Sequence, residues 1–126
     1  MILRVARHTN NLEEIIEFYT KVLNLEVLGM FKDHDGYDGI FLGKNGFDWH
    51  LEFTTSVEKA SHTFDEDDNL VFYPATKDSF QKIKENIKTH KLNTYRARNP
   101  YWKDKGLLIK DPDGFNIFIC SLKLTD

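Results

Sequence analysis

The sequence predicts an α+β fold in which a β-α-β-β-β module is used twice, each module hiding one sheet face under its helix. Three observations predict it. Each half carries one helical apolar stripe with an alternating segment before it and three after it. A polar, aperiodic stretch separates the halves, and the same order then recurs. The segment 47–54 alternates cleanly, with Trp49, Leu51 and Phe53 set against His50, Glu52 and Thr54, so its sheet has an apolar face and a polar one.

The elements follow in order. Residues 2–8 (ILRVARH) alternate as a strand, with Leu3 and Val5 on one side and Arg4, Ala6 and His8 on the other. Asn10 or Asn11 caps the next helix, each with a glutamate three residues on (Glu13, Glu14). Its apolar stripe is Leu12, Ile15, Ile16, Tyr19, Val22 and Leu23. Strands are expected at about 25–32, 37–42 and 47–54, joined by Asp35-Gly36 and by the GKNG at 43–46. In the second half a strand covers 69–74, and Thr76 caps a helix with the stripe Phe80, Ile83 and Ile87. Strands near 92–97, 105–110 and 115–122 complete it. The last two flank Asp111-Pro112-Asp113-Gly114, where proline sets φ and glycine supplies the positive-φ position. The expected organisation is one domain over 1–126: module one at about 1–54, a linker at about 55–68 and module two at about 69–124.

Composition narrows the function classes. A chain of 126 residues, 40% hydrophobic and 29% charged, has the make-up of a soluble globular domain. Net charge is 17 − 20 = −3, so neither nucleic acid nor an anionic membrane surface is an expected partner. The single Cys120 excludes an intrachain disulfide and fits a reducing compartment. No apolar run approaches the ~20 residues of a membrane span, and Arg4 and Arg7 interrupt a signal sequence. A cytoplasmic location is the expectation.

With the helices on one face of each sheet, the other face is left as a concave surface. The alternation assigns to it Arg4, His8, His50 and Glu52 from the first module. From the second it assigns Asn69, Val71, Tyr73, Asn116 and Phe118. Tyr101 and Trp102 follow a proline-fixed turn and either wall a pocket, cover an edge or meet a second subunit. His8, His50 and Glu52 form a conceivable transition-metal set, but His50 and Glu52 stand about 6.5–7 Å apart along their strand. Without a metal, two histidines there line a pocket. Asp65-Glu66-Asp67-Asp68 lacks the glycine and final glutamate of a calcium loop, which leaves a solvated linker. Asp33 to Gly39 (DHDGYDG) is accounted for by a hairpin, and there is no phosphate-binding GxxxxGK.

The segments NLEEIIEFYTKVLNLEVL (11–28) and DPDGFNIFI (111–119), with the tandem between them, resemble the glyoxalase/bleomycin-resistance/extradiol-dioxygenase group, the vicinal oxygen chelate superfamily. RNPYWKDKG (98–106) resembles the YycE-like bacterial branch of that group. The resemblance implies a cupped mixed sheet, and a homodimer, since relatives of this length commonly pair. The group includes isomerases, lyases, thiol transferases, dioxygenases and non-catalytic binders, so the fold alone does not choose among them. The four metal-ligand positions of the group fall on Arg4, Glu52, Asn69 and Phe118, of which Glu52 alone is a good ligand. The expectation is therefore a small-molecule binder without metal or other cofactor, in which Arg4 either pairs bidentately with Glu52 or reaches to water while Glu52 is hydrogen-bonded separately. The resemblance implies that His8 holds an anionic end of the ligand; by its own position it is equally a satisfied histidine at the helix entry. Arg4, His8, His50, Glu52, Asn69, Tyr73, Tyr101, Trp102 and Phe118 are the candidate contacts. The alternative is a lyase, isomerase or thiol transferase that uses a displaced His8/His50/Glu52 metal site or Glu52 as a catalytic base. A third is a fold kept as an interaction module, its cavity filled by side chains such as Phe118.

Overall fold

In the computed structural model, which describes residues 1–126, the chain runs β1 (Leu3–His8), α1 (Leu12–Glu17), β2 (Glu26–His34), β3 (Tyr37–Gly43), β4 (Trp49–Thr55), β5 (Asn69–Phe72), α2 (Lys77–Thr89), β6 (Gly106–Lys110) and β7 (Asn116–Cys120). It divides into two units, Met1–His62 and Thr63–Asp126. No helix is long and apolar enough to cross a membrane.

In the first unit the sheet order is β1-β4-β3-β2, with β1 parallel to β4 and the other pairs antiparallel. Asn11, rather than Asn10, caps α1: its side chain accepts from the Glu14 N–H at 3.1 Å. Asn10 instead clasps Ala60, accepting from its N–H at 2.8 Å and donating to its carbonyl at 3.2 Å. After Glu17 the helix widens into a π turn over Phe18–Val22. The Leu23 N–H reaches back five residues to the Phe18 carbonyl, and the Thr20 hydroxyl donates to the Ile16 carbonyl. Phe18, three residues after Ile15 and four before Val22, is buried beside the expected Tyr19, Val22 and Leu23. Tyr19 lies 5.1 Å from the Phe53 ring, which fixes the helix side of the sheet as that of Leu51 and Phe53. Arg4, Ala6 and His8 pair across the β1–β4 register with His50, Glu52 and Thr54 and so share the opposite face.

In the second unit the sheet has three strands, β5-β7-β6, with β5 parallel and β6 antiparallel to β7. Helix α2 begins with the expected Thr76 cap, in a reciprocal box with Ser79, and buries Ile83 and Ile87. The strand expected near 92–97 does not form. It contributes a single bridge, the Tyr95 N–H to the Leu108 carbonyl at 2.9 Å. Beyond Tyr95 the chain leaves the sheet edge: Ala97 and Trp102 pack on the cluster of Leu108, Phe118 and Cys120. That packing is available because β7 is buried at all five positions. Ile109, Ile117 and Ile119 fill one face, and Leu108, Phe118 and Cys120 form a second, buried apolar face where an open concave surface of polar and aromatic residues was expected. The Asp111–Gly114 turn forms as expected, with Gly114 at φ 89. The Asp111 carboxylate organises it by accepting from the Asp113 and Phe115 N–H groups at 2.9 and 3.1 Å.

Candidate functional site

Strands β1, β3 and β4 place Arg4, Phe41, His50 and Glu52 on one face of the first unit, since Phe41 is paired with Glu52 and Arg4 with His50. The Arg4 Nε–H donates to His50 Nε2 at 2.9 Å, and its Nη1 stands 3.8 Å from Glu52 Oε1. The guanidinium carbon lies 4.8 Å from the centre of the Phe41 ring, whose edge-on neighbour at 6.1 Å is His50. The expected bidentate Arg4–Glu52 fork is not formed. One arm of the guanidinium is turned to His50, its register partner on β4, which offers a shorter bond than Glu52 two residues further along. Because His50 Nε2 accepts, the neutral ring carries its proton on Nδ1.

His8 lies on the same sheet face but both ring nitrogens are engaged. Nδ1 is 2.8 Å from the Thr54 hydroxyl, and Nε2 is 2.9 Å from the Glu58 carbonyl and 3.2 Å from the Ser56 hydroxyl. A carbonyl oxygen only accepts, so Nε2 carries a proton and cannot serve as a base toward Ser56. These bonds, with His62 Nε2 on the His8 carbonyl at 2.7 Å, fasten residues 54–62 along the end of β1. The structure thus gives His8 a structural task rather than the ligand-facing position expected for it.

The second unit holds a cavity of about 410 Å³. Its floor is Leu108 and Phe118, and its roof is the segment 95–104, with Tyr95, Ala97 and Trp102 facing it and Arg96, Arg98, Lys103 and Asp104 around them. Trp102 packs on Phe118 with ring centres 4.5 Å apart and meets Tyr101 edge-on at 5.0 Å. The roof owes its shape to local chemistry. Asn99 caps the short 3-10 turn Pro100–Trp102 by accepting from the Tyr101 N–H, and proline at the first position presets φ. Arg98 ties the roof to the turn before β5, bonding Asp65 and Asp67 at 2.6 Å each through Nη2 and Asp67 at 2.9 Å through Nε. The hydrogen bond to Asp67, against a smaller opposing effect of desolvation and with the charge of both aspartates, holds the guanidinium above its ordinary pKa. The acidic run expected as solvated linker is therefore the anchor of the roof. On the return side, Gly106 comes so close to Ile119 that an added Cβ would stand 1.9 Å from its carbonyl oxygen.

Of the expected contacts, Trp102 and Phe118 line this cavity. Tyr101 does not: it is exposed, and its ring and carbonyl are covered by the Lys105 ammonium. Tyr73 lies under Lys123, and Asn69 donates to the Asp67 carbonyl at 3.3 Å. Five lining residues were not expected: Tyr95 and Arg96, which fall in the segment expected as a strand, and Arg98, Lys103 and Asp104 beyond it. A signal was present: between 95 and 105 the chain carries four basic residues and three aromatic ones.

The resemblance implies a divalent metal, and the four implied positions do not suit one. The Arg4 guanidinium has no lone pair to give and holds the His50 Nε2 lone pair. Phe118 has no donor atom and is buried under Trp102. Asn69 offers one amide oxygen, a ligand for hard cations. No three His, Cys, Asp or Glu side chains are grouped closely enough to hold an ion.

Residues 3–54 match the YycE-like N-terminal domain family, and residues 67–120 match the YycE-like C-terminal domain family. The uncharacterized protein YycE of Bacillus subtilis (strain 168) is 38% identical over 125 residues, which is 96% of this chain and 88% of that one. A crystal structure of a Bacillus subtilis YycE protein superposes with a TM-score of 0.85 at 35% identity, over 99% of this chain and 90% of the other. The trypanothione-dependent glyoxalase I of Leishmania major superposes with a TM-score of 0.74 at 22% identity, over 98% of this chain and 87% of the other. That last likeness is one of fold.

Proposed function

The chain belongs to the YycE-like family, which has the fold of glyoxalase I, and on that premise we propose that it binds a small organic molecule in the cavity beneath segment 95–104, without a divalent metal. The observation that carries the reading is the cavity itself: about 410 Å³, within the range of small-molecule sites, with an apolar aromatic floor and polar groups at the roof. The metal-free part rests on Arg4, which places a fixed positive charge between His50 and Glu52. A cytoplasmic homodimer of single-domain chains accompanies this reading; the free Cys120, wholly buried, suits a reducing compartment.

The test is the metal content of protein purified without chelator, repeated after exposure to nickel, zinc, manganese and iron(II). Chelator-treated protein is then screened against small molecules by thermal shift. We expect no stoichiometric metal, together with ligands that stabilise the chelated protein but not Trp102→Ala. At about 100 times Kd a ligand of the folded state adds about 2.7 kcal/mol, a readily measured shift. Near-stoichiometric metal that depends on His50 and Glu52 would instead favour the metal-dependent lyase or transferase reading. Turnover without metal, abolished by Glu52→Gln, would favour Glu52 as a catalytic base.

A further inference from the structure

We propose that the ligand class of this cavity is a planar organic carboxylate, its ring system held by Trp102 and Phe118 and its carboxylate by Arg96 and Lys103; the inference rests on the binding role proposed for the cavity. Three basic side chains line the cavity, and they are not equivalent. Arg98 is committed to two carboxylates, Asp65 and Asp67, neither of which is on the lining. The Arg96 guanidinium and the Lys103 ammonium have no hydrogen-bond, ion-pair or ring partner. With Arg98 neutralised by Asp65 and Asp67, Asp104 offsets one of the other two charges on the lining, which leaves one positive charge unbalanced.

Those two basic groups are exposed at the rim of the cavity, above the apolar floor of Leu108 and Phe118, where they can meet the charged end of a ligand whose body lies further in. The planar guanidinium fork matches a carboxylate with two parallel N–H donors, and the ammonium adds a point charge. The indole supplies the flat contact. One of its faces is packed on Phe118 and Tyr101 meets it edge-on, so its orientation is fixed before a ligand arrives. A neutral apolar molecule would use the floor and leave both basic groups idle. A bare anion would use them and make no flat contact with the half-buried indole.

The experiment compares benzoate, 1-naphthoate and indole-3-carboxylate with their neutral amides by calorimetric titration in chelator. It uses the full chain, the double variant Arg96→Gln/Lys103→Gln and Trp102→Ala. We expect at least one carboxylate to bind about tenfold or more tightly than its amide, the difference an ion-paired hydrogen bond supplies. The double variant should erase that preference while still binding the amide, and added salt should weaken the carboxylate alone. Amide and carboxylate binding equally, both lost in Trp102→Ala, would overturn the carboxylate inference and keep the cavity as the site. Binding unaffected by Trp102→Ala, or no binding by any member, would overturn both. Inorganic phosphate competing as well as the carboxylates would show that charge alone is read, which also overturns the planar class.

Discussion

Arg4 shows how one side chain can change what a sheet face does. A guanidinium occupies His50 Nε2 and stands beside Glu52, so the two best metal ligands of that face are turned toward a cation the chain itself provides. Replacing Arg4 by histidine, Arg4→His, frees the His50 lone pair and adds a third donor to Glu52. We expect the variant to take up nickel or zinc in histidine-dependent fashion where the parent chain does not, measured by elemental analysis after dialysis. No uptake would mean that the spacing of the face, and not Arg4, is what excludes the ion. Phe118 matters at the same scale for packing. It is 2% exposed beneath Trp102, and Phe118→Ala should cost about 3–5 kcal/mol by chemical denaturation, the range for emptying an aromatic core position. His8 illustrates the limit of reading a face from alternation. Its placement beside Thr54 followed from the strand pattern, but its bonds to Ser56 and Glu58 depend on how residues 55–62 fold back, which no periodicity encodes.

At the scale of elements, the roof over β6 and β7 is the feature that separates the two units. Helices and most strands were legible because apolar spacing and caps state them locally: Thr76 with Ser79, Asn11 with Glu14, and Gly114 after Pro112. The roof was not legible. Its conformation is decided by Arg98 reaching Asp65 and Asp67, 33 and 31 residues away, and by Trp102 settling on Phe118. Two predictions belong here. In Asp65→Asn/Asp67→Asn the roof loses its anchor, and amide exchange across 95–104 should quicken while the core of β7 stays protected. Equal exchange in variant and parent would show that packing alone holds the roof. Gly106→Ala forces a Cβ against the Ile119 carbonyl at the point where the roof returns to the sheet. We expect a loss of about 3 kcal/mol or failure to fold, since backbone rather than a flexible side chain must give way.

For the whole molecule, a tandem of two sheet-and-helix modules was visible from residues alone, the second one strand short of the expected β-α-β-β-β, and the family follows from both halves matching. What the halves do with the pattern differs. The first unit has four paired strands and a polar cluster on one sheet face; the second has three, and its corresponding strand position is spent on a roof over an apolar floor. The candidate site was therefore legible in Trp102 and Phe118 and hidden in Arg96 and Lys103, whose role depends on the roof. The sequence holds two tryptophans, Trp49 in the first unit and Trp102 in the cavity, so one spectrum reports on both. The most direct measurement is a heteronuclear NMR screen of small organic molecules against chelator-treated, isotope-labelled protein, following the two indole N–H signals. We expect ligands that move the Trp102 signal in a saturable way and leave Trp49 in place. Ligands that move Trp49 alone, or that bind only after metal is restored, would contradict a metal-free site beneath segment 95–104.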